Sequence, residues 1–324
     1  AVHSATDVGR RGLAQEYEKA YSTLQYTDNM AQLSVPTVDY TEYSNRQLLA
    51  IPLALLAFAL IVIGGWYVMT GAPANLGLQF VGGSELRITD SGATDKQTIR
   101  TAFDASPASI RQVPAGDYIV TFAQDTVDTT GDQTQLTALR QQAEQAGLSI
   151  ESAASISASF GANAQRLALL GVVVAFVGMS LLVFAMFRSI APSIAVVASA
   201  FSDVILPLAL MNLFGIQLTL GTVAALLMLI GYSVDSDILL NNHILRQSGD
   251  FYESTSRAMR TGVTMTLTSV AAMSMMAIAG FFFGIQILTA IGFVLVVGLL
   301  ADLMNTYLLN VSLLRWYVNR GVKR

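Results

Sequence analysis

Hydrophobic positions in this chain fall into six long runs, roughly residues 48–70, 167–187, 191–213, 217–243, 261–282 and 286–310. A helix that crosses a bilayer takes about 20 apolar residues. Backbone that meets lipid must satisfy its own hydrogen bonds, so each run predicts a spanning α-helix. The first run stands apart from the other five. Between them lies a polar stretch of about ninety residues. The predicted organisation is an N-terminal segment over 1–46, a first span over 47–70, an α+β domain within 71–165, a five-helix bundle over 166–314 and a basic tail over 315–324.

Within the polar stretch the period of the pattern shortens. "GLQFVGGSELRIT" predicts a strand broken by a glycine pair. "TDKQTIRTAFDAS" predicts a helix capped by Thr94 or Asp95. "SIRQVPAGDYIVTFAQ" predicts a hairpin turning at Pro114-Ala115-Gly116-Asp117. "DQTQLTALRQQAEQAGLSI" predicts a helix ended by Gly147, and "LSIESAASIS" a last strand. The order βαββαβ is that of a ferredoxin-like unit. It holds no catalytic constellation, which favours a binding or docking surface. The expected fold class is thus an α-helical membrane protein of six spans with a small extracytoplasmic α+β domain.

Composition agrees. Only 12% of the 324 residues are charged, against roughly 25% in soluble domains, and mean hydropathy is +0.54. With no cysteine, thiol catalysis and thiolate metal sites are excluded. The two histidines, His3 and His243, are far apart in sequence, so neither a metal nor a cofactor is expected. The net charge of −4 argues against a nucleic-acid partner. No cleavable signal peptide is legible in the polar first forty residues. "GLAQEYEKAYSTL" there is amphipathic and fits a membrane surface or a partner. Arginines and lysines flank one side of the spans, while the links "NLFGIQ" and "FFFGIQ" on the other carry none. This predicts a multi-pass protein with both termini cytoplasmic.

Against this background the acids inside apolar runs stand out: Asp203, Asp235, Asp237 and Asp302. An aspartate at a helix centre costs about 2.5–3.5 kcal/mol on insertion scales, and such groups are functional by default. Asp203, Asp235 and Asp302 are read as rungs of a proton or ion relay; interhelical hydrogen bonding is the structural alternative. Asp237 is two residues, or about 200° of helix, from Asp235. It is therefore expected to be wet or paired with Asn241. Pro207, four residues after Asp203, cannot donate to its carbonyl and predicts a kink there. Gly221, Ala224, Ala225, Gly231, Gly292 and Gly298 would let helices approach closely. The repeated turns "LFGIQLT" and "FFGIQIL", followed by acids at similar depth, predict two similar hairpins about a polar interior.

Together, "GLQFVGGSEL", "FSDVILPLALMNLFGI", "IGYSVDSDILLNNHILR" and "RAMRTGVTMTLTS" resemble the SecF family of protein-export membrane subunits, in an archaeal form, within the RND-like superfamily. The resemblance covers about residues 45–315. It implies a heterodimer with SecD in the cell membrane and association with the Sec translocon. It also implies use of proton motive force to draw an unfolded exported polypeptide across. By that resemblance Asp203 is central to proton coupling, Asp235 belongs to the relay, and its cation is His243 or Arg246. Gln79 stands where bacterial members carry an acid. The chain is then an energy-coupled subunit and not an enzyme. A proton-driven small-molecule exporter subunit is the alternative, although such exporters usually carry twelve spans. An intramembrane aspartyl protease would use Asp203 with Asp235, but "GYSV" stands where its Gly-x-Gly-Asp signature belongs.

Overall fold

The computed structural model describes residues 40, 42–89, 95–113, 116–123, 132–246 and 251–321. The first membrane helix, α1 (Asn45–Thr70), opens with a capping box, in which the Ser44 hydroxyl takes the Gln47 amide and the Gln47 side chain returns to the Ser44 backbone. It ends at Gly71, whose φ of 76° lies where only glycine is at ease. The amphipathic run near the N-terminus lies outside the described residues.

The polar stretch folds as α2 (Leu78–Val81), β1 (Gly83–Ile88), α3 (Lys96–Thr101), β2 (Ser109–Gln112), β3 (Tyr118–Phe122), α4 (Asp132–Gln145) and β4 (Ile150–Ile156). The sheet runs β2-β3-β1-β4 with every pair antiparallel, which is the ferredoxin-like arrangement. Leu86, Ile88, Val120 and Phe122 on one sheet face pack with Ile99, Phe103, Leu136 and Leu139 of the helical layer. Asp95 caps α3 by accepting from the Thr98 amide at 2.6 Å. Of the two caps proposed from sequence, Thr94 lies outside the described residues, as do Pro114 and Ala115 of the hairpin turn. One local expectation fails. Residues 78–81 form a helical turn rather than the start of a strand, because Gly82 and Gly83 both take positive φ (79° and 126°) and break the extended run. The turn seats Phe80 against Ala164 and Val223 of the bundle.

The remaining helices are α5 (Ala158–Phe187), α6 (Ile190–Leu213), α7 (Leu220–Arg246), α8 (Phe251–Phe282) and α9 (Gln286–Met304). A π-turn (Asn305–Asn310) joins α9 to α10 (Val311–Gly321). Among the described residues six helices are long and apolar enough to cross a membrane, with α9 through α10 acting as one span. Helix α5 starts at Ala158, directly after the last strand, so the sheet is coupled stiffly to the bundle. The α6–α7 and α8–α9 turns are copies in geometry as well as sequence. Gly215 and Gly284 have φ of 67° and 68°. The amides of Ile216 and Ile285 reach back five residues to Met211 and Gly280, as a Schellman cap requires.

Three of the glycines singled out from sequence are contact points, Gly221 lying against Ile287 and Ile291. A Cβ on Gly298 would run into Leu229, and one on Gly292 into Ala277. Gly231 meets nothing and faces open space.

Candidate functional site

Three acids converge where α6, α7 and the α9–π-turn segment meet. Asp203, Asp237 and Asp302 are fully buried. Asp203 accepts from the Ser233 hydroxyl (2.6 Å) and from the Asn305 amide nitrogen (2.6 Å). Asp302 accepts the Ser236 hydroxyl on both oxygens, at 2.8 and 3.0 Å. Asp237 accepts from Thr306 Oγ1 and Asn310 Nδ2, both at 2.8 Å. The Thr306 hydroxyl also lies 3.3 Å from Asp302 Oδ1 and 3.3 Å from Ser236 Oγ. Hydroxyl groups therefore join Asp237 to Asp302, and α7 carries a donor to each of the other two acids.

The π-turn makes this possible. Its wider turn places Asn305, Thr306 and Asn310 on the inner face together, each buried and each donating to an acid. Such turns are rare and concentrate at functional sites. Pro207 is buried in α6 one turn beyond Asp203, whose carbonyl it leaves without the usual amide.

Of the residues predicted for the relay, the structure brings together Asp203 and Asp302 and places Asp235 and His243 apart from them. Asp235 is exposed on the outward face of α7. Asp237, expected to be wet, takes the inner place, because the α7 stripe Ser233–Asp237–Asn241 faces α6 and the π-turn. Asn241 is buried but is not Asp237's hydrogen-bond partner. The His243 ring donates from Nδ1 to the Leu239 carbonyl of its own helix (2.8 Å) and, among the described residues, forms no hydrogen bond or ion pair with the acids. The Arg246 side chain lies outside the described residues. None of the three buried acids forms an ion pair among the described residues, and no group of metal-binding side chains occurs among them.

At the domain end, a crevice of ≈ 450 Å³ separates the open sheet face from the two copied turns. Arg111 on β2 crosses it to Gln217 (Nη2 to Oε1, 2.9 Å). Burial pushes the Glu85 carboxyl in its wall above the ordinary range, with Arg111 and then Thr121 pulling it back. Gln79 accepts from the Leu220 amide (2.8 Å) and so caps α7. Asn212 holds the entering chain through Pro73 and Asn75, the Gly77 amide donates to the Leu218 carbonyl, and the Leu218 amide donates to the Asn75 carbonyl.

The family model for protein export membrane protein SecD/SecF, C-terminal, matches residues 135–320. The protein-export membrane protein SecF of Haloferax volcanii is 65% identical over 298 residues, covering 91% of this chain and 100% of that one. The chain belongs to the SecF family. The SecF of Haloquadratum walsbyi is 62% identical over 296 residues, with 91% and 100% covered. Among solved structures, SecDF of Thermus thermophilus, a translocon-associated membrane protein, superposes with a TM-score of 0.67 at 19% identity, which establishes the shared fold. The match takes in 91% of this SecF-family chain and 41% of the SecDF chain, so the solved protein is more than twice the length matched.

Proposed function

We propose that this SecF-family subunit uses proton motive force to assist late steps of polypeptide translocation, with SecD as its partner. Both termini are cytoplasmic and the ferredoxin-like domain lies outside. The observation that carries the reading is the group of three fully buried carboxylates, with Asp237 and Asp302 joined through the Thr306 hydroxyl and Asp203 held in the same group by Ser233 and Asn305. Uncompensated charge in a dry interior is prohibitive, so protons taken up and released set the charge of this cluster. Each charge change alters what Ser233, Asn305, Thr306 and Asn310 can donate to, and thus how α6, α7 and the π-turn sit together. Helix α7 meets the domain at Gln79, and α5 continues directly from β4, which gives the bundle two rigid routes to the domain.

A SecD partner is favoured by Asp235. It lies about 16 Å from the tail end of α7, taken as 11 residues at 1.5 Å, and faces outward. Carboxylates at such depth almost always face protein or water. The open notch at Gly231, one turn away, admits a closely packed helix. A second membrane bundle with a cation or donor at that depth satisfies both.

Asp203→Asn keeps the shape and removes the titratable proton. Export of a reporter across membrane vesicles falls in this variant while the subunit still inserts. Undiminished export sets the reading aside. The exporter alternative is checked in the same vesicles, since an exporter moves small hydrophobic cations without any translocating polypeptide.

A further inference from the structure

Beyond the acids, buried polar atoms continue toward the end of the bundle opposite the domain. Asp237 Oδ2, Asn310 Oδ1, both amide atoms of Asn241, Ser312 Oγ and Asn45 Oδ1 are all buried without a hydrogen-bond partner among the described residues. They belong to three elements that meet there: α7, the π-turn with α10, and the first residue of α1. Asn241 is one turn beyond Asp237, and Asn45 Nδ2 reaches the Ser312 carbonyl at 3.3 Å. A buried polar group without a partner is costly, and the small molecule that partners such groups is water.

Tyr40 packs against the same π-turn that carries Asn310. It precedes α1, yet it is 4% exposed. Its hydroxyl donates to the Tyr307 carbonyl at 2.9 Å and lies 3.9 Å from Met259 Sδ. The π-turn creates that acceptor. The Val311 amide bonds five residues back to Thr306, and α10 then resumes four-residue spacing. The change of step passes over one carbonyl, that of Tyr307. The segment carrying Tyr40 is tied down from outside by Arg315, whose Nη1 donates to the carbonyls of Tyr40 and Tyr43, both at 3.0 Å, and whose guanidinium lies 5.6 Å from the Tyr252 ring centroid. On the α8 side, a Cβ on Gly262 would fall on the Tyr307 hydroxyl, so the Tyr307 ring is packed tightly there.

We propose that these atoms line an internal file of water leading from Asp237 to the tail end of the bundle, and that Tyr40 is its stopper. The ring blocks the file and the hydroxyl pins the ring to the carbonyl freed by the π-turn. The inference builds on the buried-acid reading above, but its test reads water access and not export.

The chain has no cysteine, so one can be placed cleanly. Ser312→Cys replaces a buried hydroxyl by a near-isosteric thiol in the file. Its reaction with a small, charged, water-soluble methanethiosulfonate reagent is followed in membranes. Labelling is expected to be slow with Tyr40 present and faster by at least an order of magnitude with Tyr40→Ala. Tyr40→Phe, which keeps the ring and loses the pin, gives a smaller rise. Arg315→Gln loosens the strap without touching the ring and also accelerates labelling. A thiol at exposed Asn242 (Asn242→Cys) reacts equally in every background if folding is intact. The proposal is overturned if Tyr40→Ala and Arg315→Gln leave the Ser312→Cys rate unchanged, or if the rate at Asn242→Cys rises in parallel. Normal labelling behaviour with export unaffected by Asp203→Asn would sink the relay and leave the stopper standing.

Discussion

Asn305 donates its amide nitrogen to Asp203 Oδ1 at 2.6 Å, across 102 residues of sequence and between two membrane helices. The contact depends on the π-turn, which begins at Asn305. It ties the kinked helix α6 to the segment that also holds Asp302 and Thr306. Removing the donor leaves a buried carboxyl oxygen with one partner fewer. Asn305→Ala is therefore expected to lower stability by about 1–3 kcal/mol. Thermal unfolding in detergent, compared with an outward-facing control such as Leu181→Ala, measures the loss.

The domain carries its own pH dependence. Burial holds the Glu85 carboxyl above its ordinary range, so the folded chain keeps that proton to higher pH than the unfolded chain does. This contribution to stability is complete below the unfolded value and is lost as pH rises through the folded one. Glu85→Gln removes that slope. Denaturant midpoints of the domain, taken at a series of pH values, should fall less steeply toward neutrality in the variant than in the parent. Parallel curves would show that Glu85 is not responsible.

Asp235 gives the opposite expectation to its neighbour Asp237. On an outward face of α7 its charge has no ion-pair partner among the described residues, so Asp235→Leu should leave the isolated subunit as stable as before. Recovery of SecD with the tagged subunit should fall. Quantified co-purification from membranes checks this, and full recovery of the partner would place the interface elsewhere.

Much of the fold was legible because hydropathy over 20 residues and the βαββαβ order are local signals. The short helix Leu78–Val81 was not, since its glycine pair reads equally well as a broken strand until the φ angles are known. In the site, Asp203 and Asp302 were readable as acids in apolar runs. The choice between Asp235 and Asp237 needed the rotation of α7. A signal for it existed: Ser233, Asp237 and Asn241 recur every four residues, as do Asp302, Thr306 and Asn310. Asp235 lies on a stripe with Met228, Gly231 and Asn242, with no polar run of its own. The π-turn has no comparable signature in sequence. It follows from how the segment packs, and the Tyr40 contact follows from it in turn.

The central claim is that the buried acids couple the proton gradient to export, and Asp237 tests it most directly because it was singled out by the structure. Reporter export is measured in vesicles with and without an imposed pH gradient, comparing the parent with Asp237→Asn. The account predicts that the gradient accelerates export in the parent and has no effect in the variant, with equal amounts of assembled subunit in both membranes. Gradient-stimulated export of undiminished size in Asp237→Asn would contradict it.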